Sequence, residues 1–190
     1  MPYGQMKLVI LDRDGVINKD SSEFIKTPDE WLPIKGSLEA LARLSQAGYD
    51  VVIMTNQSGI GRKLLSTDDL SKIHVRMIDY VQQHGGKIQK ILFCPHHPDD
   101  GCECRKPLTG MYDELAKRLS IHFNGVYSVG DSVRDLIAAH NAGAKPVLVK
   151  TGNGRKSLKE INANEHLGLN TAPVFDNLAG FVDALLKHDI

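Results

Sequence analysis

Apolar residues in this chain fall into short, largely unbroken runs that alternate with stretches of helical spacing. Leu8-Val9-Ile10-Leu11, Val51-Val52-Ile53-Met54, Ile88 to Phe93, Val126 to Val129, Pro146 to Val149 and Val174-Phe175 read as strands. A strand covered on both faces is written as a continuous apolar run rather than an alternating one, which points to a parallel sheet. Between the runs, Leu38, Leu41, Ala42 and Leu44 are spaced for a helix that Ser37 caps and Gly48 closes. A second helix starts at Ser66 or Thr67, with Asp68 and Asp69 near its positive end, and extends to about His84 before Gly85-Gly86. Further helices are expected from Thr109 to about Ser120, up to Asn141 before Gly143, and from Asn177 to Leu186. Residues 14–33 show little periodicity and read as a long loop, a length usually associated with function or flexibility. The alternation predicts an α/β fold, a Rossmann-like parallel sheet with helices on both faces, in one domain spanning residues 1–190.

The strand ends carry the chemistry. The first run stops at Asp12-Arg13-Asp14-Gly15, the second at Thr55-Asn56-Gln57-Ser58-Gly59, and the fourth at Gly130-Asp131. Parallel strands deliver their carboxyl ends to one edge of the sheet, where ligands bind in open α/β folds. Asp12, Asp14, Thr55, Asn56, Lys106 and Asp131 therefore converge although they lie far apart in sequence. Asp12 and Asp14 stand at i and i+2 of an extended segment and face one way. Taken singly, Asp12-Asp14 also reads as a solvated turn, Asp131 as a helix cap and Lys106 as a surface lysine. The ordered set supports phosphoryl transfer instead. Asp12 is the candidate nucleophile, forming an aspartyl-phosphate, and Asp14 the acid and then the base. Thr55 and Lys106 bind phosphoryl oxygen, and Mg²⁺ is held by Asp12, Asp131 and the backbone carbonyl of Asp14. Asp135, one helical turn beyond Asp131, is placed to back that site.

Composition changes this picture little. The chain has 190 residues, 42% hydrophobic and 24% charged, with 23 basic and 23 acidic side chains. The zero net charge gives no support to a nucleic-acid partner or an anionic membrane. No long apolar segment follows a basic N-terminal region, so the expected location is the cytoplasm, and a monomer is expected. The cysteines change the picture more. All three lie between Cys94 and Cys104, in the run Cys94-Pro95-His96-His97-Pro98-Asp99-Asp100-Gly101-Cys102-Glu103-Cys104. An odd count in one short loop is no disulfide framework, whereas Cys94, His96, Cys102 and Cys104 make a tetrahedral zinc set. His97 competes with His96 as the nitrogen ligand. A structural Zn²⁺ holding Cys104 would fix the direction of Arg105 and Lys106, which follow it directly.

Asp12-Arg13-Asp14-Gly15, Thr55 to Gly59, Arg105-Lys106-Pro107 and Gly130-Asp131-Ser132-Val133-Arg134-Asp135 resemble, in order, the four motifs of haloacid dehalogenase (HAD) superfamily phosphatases. The resemblance implies Mg²⁺ dependence and the roles given above; superfamily members that preserve their phosphoryl-enzyme carry Thr where Asp14 stands. The loop Cys94-Pro95-His96 to Cys104-Arg105-Lys106-Pro107 narrows it to two branches. One is the D-glycero-D-manno-heptose 1,7-bisphosphate 7-phosphatase family, the other the histidinol-phosphate phosphatases. Asn56-Gln57-Ser58-Gly59-Ile60, Gly110-Met111 and Thr151-Gly152-Asn153-Gly154 favour the first. That branch implies removal of the 7-phosphate of a heptose bisphosphate, a small-molecule sugar substrate, in making nucleotide-activated heptose for lipopolysaccharide or related glycans. It also implies substrate contacts from Asp20, Ser21, Ser22 and Glu23, from Thr55, Asn56, Gln57 and Ser58, and from Arg105 and Lys106. Where the branch often carries Lys, this chain has Ser132, which hydrogen-bonds phosphate without a charge. No large insertion separates the motifs, so no cap domain is expected. A zinc-bearing interaction module without catalysis is the reading from another class; it gives no reason for both Asp12 and Asp14.

Overall fold

The computed structural model describes residues 7–190. Six parallel strands form one sheet in the order β3-β2-β1-β4-β5-β6, with β1 at Leu8–Leu11, β2 at Asp50–Asn56, β3 at Lys90–Cys94, β4 at Tyr127–Gly130, β5 at Lys145–Val149 and β6 at Val174–Phe175. The strand order reverses between β1 and β4, and a crevice opens at the carboxyl ends of such a pair. The register there is Val9 opposite Tyr127 and Leu11 opposite Val129, so Asp12 and Asp131 emerge side by side.

Each central strand is apolar throughout because both of its faces are covered. On β1, Val9 and Leu11 enter a core with Leu41 and Leu44 of α1 (Ser37–Gln46), Ile73 and Met77 of α3 (Thr67–Gln83) and Phe181 of α7 (Leu178–Lys187). Leu8 and Ile10 point the other way, onto Met111 and Leu115 of α4 (Gly110–Leu119) and Ala138 and Ala139 of α5 (Val133–Asn141). Residues alternate across a strand with period two, and neither alternate set is exposed. The helix α3 begins as its sequence indicates. Ser66 accepts from Asp69 N–H, and Asp69 accepts in return from Ser66 N–H.

Three local expectations are corrected. Ser37 is not a cap: Gly36, in a left-handed conformation at φ 85°, takes that position. Ser37 is the first helical residue, and its hydroxyl donates to Val16 O at 3.1 Å. Segment 14–33 is not a loose loop. Val16, Ile17, Ile25 and Trp31 are buried in the main core, and a single 3-10 turn forms at Pro28–Glu30. Two helices went unread: α2 (Ser58–Gly61) directly after β2, and α6 (Gly154–Ala163) after β5. The start of α6 lies in a Gly-Asn-Gly tract that resembles a turn, and only Gly154, Ser157 and Ile161 of the helix are fully buried. An apolar stripe that narrow gives little periodic signal.

Leu41 is fully buried between α1 and the sheet. Leu41→Ala is expected to destabilise the fold by about 2–5 kcal/mol, by lost transfer energy and the cavity left behind. Urea unfolding followed by circular dichroism measures it, as a lower midpoint at unchanged slope.

Candidate functional site

A cleft of about 320 Å³ opens at the carboxyl edge of the sheet, over the β1/β4 crevice. Asp12, Asp14, Asp20, Ser21, Thr55, Asn56, Gln57, Ser58, Arg105, Lys106, Asp131 and Ser132 all line it. Of the predicted contacts, Ser22 and Glu23 do not; they border neighbouring surface hollows instead. The chain runs across the rim there, and only Asp20 and Ser21 of the segment face inward.

Lys106 is the centre of the arrangement. It is 3% exposed, and its Nζ donates to Asp12 Oδ1 at 3.0 Å, to Asp135 Oδ1 at 2.6 Å and to Met54 O at 2.7 Å. Burial alone would favour the neutral amine, but the carboxylates of Asp12 and Asp135 outweigh it and raise the Lys106 pKa. The backbone of Lys106 is held as firmly. Its N–H donates to Asn56 Oδ1 at 3.1 Å, and its carbonyl accepts from Asn56 Nδ2 at 3.0 Å. The Asn56 amide is thus occupied in joining the tip of β2 to the residue that carries the cation.

Asp12, Asp131 and Asp135 each offer an oxygen within 4.8 Å of the others. Burial, opposed by Lys106 and reinforced by Asp135 and Asp14, pushes Asp12 up to about 7. Burial together with Asp135 and Asp12 pushes Asp131 up to about 8. Asp135 behaves oppositely: despite its burial, Lys106 holds it below the ordinary carboxylate range. Asp135 Oδ2 also accepts from Ser132 N–H and hydroxyl, at 3.0 and 2.6 Å. Asp12 and Asp131 are therefore the crowded carboxylates lacking enough positive charge, a donor set that suits a hard divalent cation. Asp131 is also gripped from behind. Asn153 N–H donates to its Oδ2 at 2.7 Å, and Gly15 and Gly152 pack so closely on it that a Cβ at either position would collide with the carboxylate.

Asp14 does not join the carboxylate cluster through its side chain. Its oxygens accept from Arg13, from Asn18 Nδ2 at 2.8 Å and from Gln57 Nε2 at 2.9 Å. Gln57 Nε2 also donates to Thr55 Oγ1 at 2.8 Å, which leaves the Thr55 hydroxyl proton available to an acceptor in the cleft. Arg105 presents a buried Nη1 with no hydrogen-bond partner among the described residues, a donor available to an anion. Residues that the sequence did not flag as lining the cleft are Arg13, Phe24, Ile25, Arg62, Leu65, Pro98, Arg134 and Asn153. Arg13 lies within the first motif, Arg134 within the fourth and Asn153 in the glycine-rich tract after β5, and each could have been suspected from them. The others reach the cleft through loop packing.

Beside the cleft, Cys94, His96, Cys102 and Cys104 place one ligand atom each within 4.8 Å of one another. Cys94 Sγ lies 3.6 Å from both Cys102 Sγ and His96 Nδ1, and His96 Nδ1 lies 3.2 Å from Cys104 Sγ. Ligands at ~2.3 Å (S) and ~2.0 Å (N) on the corners of a tetrahedron stand roughly 3.5–3.8 Å apart, close to what is seen. His97 turns away, with Nδ1 toward Asp99. Burial, reinforced by Cys94 and Cys102, pushes the Cys104 thiol up to about 12, a cost that a bound cation would reverse.

Residues 103–180 match the Hydrolase_like family model, described as "HAD-hyrolase-like". The D-glycero-beta-D-manno-heptose-1,7-bisphosphate 7-phosphatase of Bordetella bronchiseptica is 56% identical over 96% of this chain and 99% of its own length. The chain belongs to this family. The Pseudomonas aeruginosa enzyme of the same name is 47% identical over 95% of this chain and 98% of its own length. The crystal structure of the B. bronchiseptica D,D-heptose 1,7-bisphosphate phosphatase, complexed with magnesium and phosphate, superposes with a TM-score of 0.90 at 50% identity, covering 96% of this chain and 99% of that one. The fold is thus HAD-like, and as a member of the 7-phosphatase family the chain is a phosphoric monoester hydrolase. No helix among the described residues is long and apolar enough to cross a membrane.

Behind this family member's cleft, His74 of α3 is 9% exposed and faces Arg13. Burial, reinforced by the Arg13 charge, lowers its pKa from 6.5 to about 4. A histidine buried neutral favours the folded state above its unfolded pKa, and that contribution is lost as pH falls. The His74 contribution, on the order of 3 kcal/mol, is expected to be lost between about pH 6.5 and pH 4, against an opposite contribution from Asp12 and Asp131, which take up protons in the folded state over this range. Urea midpoints of the protein and of His74→Gln across that range measure it, as a difference, protein minus variant, that falls as pH falls.

Proposed function

We propose that this chain is a magnesium-dependent phosphatase that removes the 7-phosphate of D-glycero-β-D-manno-heptose 1,7-bisphosphate, serving the synthesis of nucleotide-activated heptose. The observation that carries the substrate is the near-full-length identity with relatives named for this reaction. What supports the chemistry is the meeting of Asp12, Lys106 and Asp131 at one strand edge.

Asp12 attacks phosphorus through a carboxylate oxygen as the bond from phosphorus to the sugar oxygen breaks. Asp14 protonates that oxygen, and the sugar leaves. Asp14, now a base, takes a proton from the water that opens the aspartyl-phosphate, returning Asp12 and releasing phosphate. Lys106 stays against Asp12 throughout and offsets charge on the phosphoryl oxygens, to which Thr55 donates its hydroxyl. Asp12, Asp131 and the Asp14 carbonyl would hold magnesium, whose charge would let an anionic nucleophile meet an anionic phosphoryl group. Asp135 lines the same cleft and backs the site by fixing Lys106. Asp20, Ser21, Ser58 and Arg105 line the cleft, which supports contacts from them to the sugar and its second phosphate. Ser132 spends its hydroxyl on Asp135 as a helix cap, so the uncharged residue at this position acts on the site indirectly.

Zinc in the Cys94–His96–Cys102–Cys104 cluster has a structural part in this reading. It braces the turn that aims Arg105 and Lys106. The loop also abuts the second motif, since Gln57 N–H donates to Cys94 O at 2.7 Å and Gly61 N–H to Pro95 O at 2.8 Å.

Asp12→Asn is expected to fold normally and lose roughly a thousandfold or more in kcat with heptose bisphosphate and magnesium. Near-normal turnover of that variant would refute the nucleophile. In the unaltered protein, kcat/KM for heptose bisphosphate should exceed that for histidinol phosphate, and the reverse order would move the chain to the other branch. For the cysteine cluster, metal analysis should find about one zinc per chain. Chelation followed by magnesium alone should leave the loop open to proteolysis and activity depressed; an intact loop with full activity would exclude the bracing role.

A further inference from the structure

The inward face of α3 is apolar at Leu70, Ile73, Met77 and Val81, and one residue interrupts it. His74 is buried among these neighbours, with the Phe93 ring edge-on at 6.0 Å. Burying an imidazole there is costly unless it is hydrogen-bonded. Its partner is Arg13, the residue between the two catalytic-motif aspartates, whose Nη1 lies 3.3 Å from His74 Nε2. A guanidinium only donates, so Nε2 must be the acceptor and the ring proton sits on Nδ1.

Arg13 is 1% exposed, and its remaining donors point one way. Nε lies 3.2 Å from both Asp14 oxygens, and Nη2 lies 3.0 and 2.9 Å from them. Nη2 also donates to Gln57 Oε1 at 3.1 Å, while Gln57 Nε2 returns to Asp14. A two-pronged contact of this kind fixes direction as well as distance. Asp14 keeps one side toward the cleft, with 21% of its side chain exposed.

We propose that His74 is a positioning residue: it locks the guanidinium plane of Arg13, and Arg13 holds the Asp14 carboxylate in line for proton delivery to the leaving oxygen. This deepens the phosphatase reading and rests on it. The chain of contacts runs from a helix outside all four motifs, through a buried cation, to the group that must protonate the departing sugar. An apolar side chain at 74 would leave Nη1 buried without a partner and the guanidinium free to tilt. Small misplacements of a proton-transfer group are expensive in rate even when binding is untouched.

A merely structural role and a positioning role differ in what they do to different leaving groups. A sugar alkoxide needs its proton as the ester bond breaks, whereas a p-nitrophenolate leaves without one. In the full-length protein with magnesium, His74→Leu is expected to lower kcat/KM for heptose bisphosphate by about 10- to 100-fold, mostly through kcat, and for p-nitrophenyl phosphate by under about 3-fold. His74→Gln, which keeps an acceptor near the same place, should restore most of the loss. Should His74→Leu fail to fold by circular dichroism, Arg13→Lys replaces it: the buried charge stays, the two-pronged contact goes, and the same selective loss is expected. Equal falls on both esters, no fall, or a Gln variant as impaired as Leu would overturn the proposal. If the unaltered protein ignores heptose bisphosphate but cleaves glycerol phosphate, the substrate reading fails and the comparison is made between glycerol phosphate and the aryl ester. If it cleaves no monoester, both readings fall together.

Discussion

Carboxylates crowd the carboxyl edge of this sheet, and one buried ammonium lies among them. Asp12, Asp131 and Asp135 are close enough to repel strongly at low dielectric. Lys106 answers two of them directly and is itself anchored through its backbone to Asn56. Removing a partner from such a buried set leaves an uncompensated charge, which costs more than the pair contributes. The placement of Lys106 therefore constrains much else. It requires the tip of β2, the turn after the cysteine loop and the first turn of α5 to meet at fixed distances. The repulsion that Lys106 does not relieve falls on Asp12 and Asp131, which is where a cation is called for.

The sheet and its functional edge were legible in the sequence because parallel strands buried on both faces leave uninterrupted apolar runs. The polar residue that ends each run marks the edge by itself. Thr55 and Asp131 lie at the ends of their runs, and Lys106, beyond the cysteine loop that follows the third run, lines the same cleft. The helix α3 was legible to within a residue because Ser66 and Asp69 form a reciprocal cap. What escaped depends on contacts between distant loops. Asn153 grips Asp131 only because the turn after β5 folds across it, and no local pattern announces that. Ser22 and Glu23 were drawn into the expected site by their neighbours in sequence, yet the chain turns them outward after Ser21. Ser37 misled for a physical reason: a hydroxyl at a helix start is a good cap, but Gly36 reaches the required conformation and frees Ser37 to bond Val16.

Polar groups near the site are mostly committed to one another rather than held in reserve for a ligand. Gln57 serves Asp14, Thr55 and Arg13 at once, Asn56 serves Lys106, and Ser132 serves Asp135. Fixed dipoles of this sort do not reorganise as charge moves, which is how a preorganised site gains over water. Among the described residues, the Thr55 hydroxyl proton and the Nη1 of Arg105 remain uncommitted, and Ser58, Arg62 and Arg134 also line the cleft.

The strand order has a consequence for how the molecule comes into being. β1 is central, but its neighbour β4 arrives only after β2, β3 and the helices between them, so Leu11 waits for Val129. Closing so long a loop is entropically unfavourable and is rewarded late. Until β4 docks, Asp12 lacks both Asp131 and Asp135, and β1 has one edge unpaired. During synthesis the carboxylate cluster cannot assemble before Asp135 has been made, and β1 keeps an open edge until β4 follows.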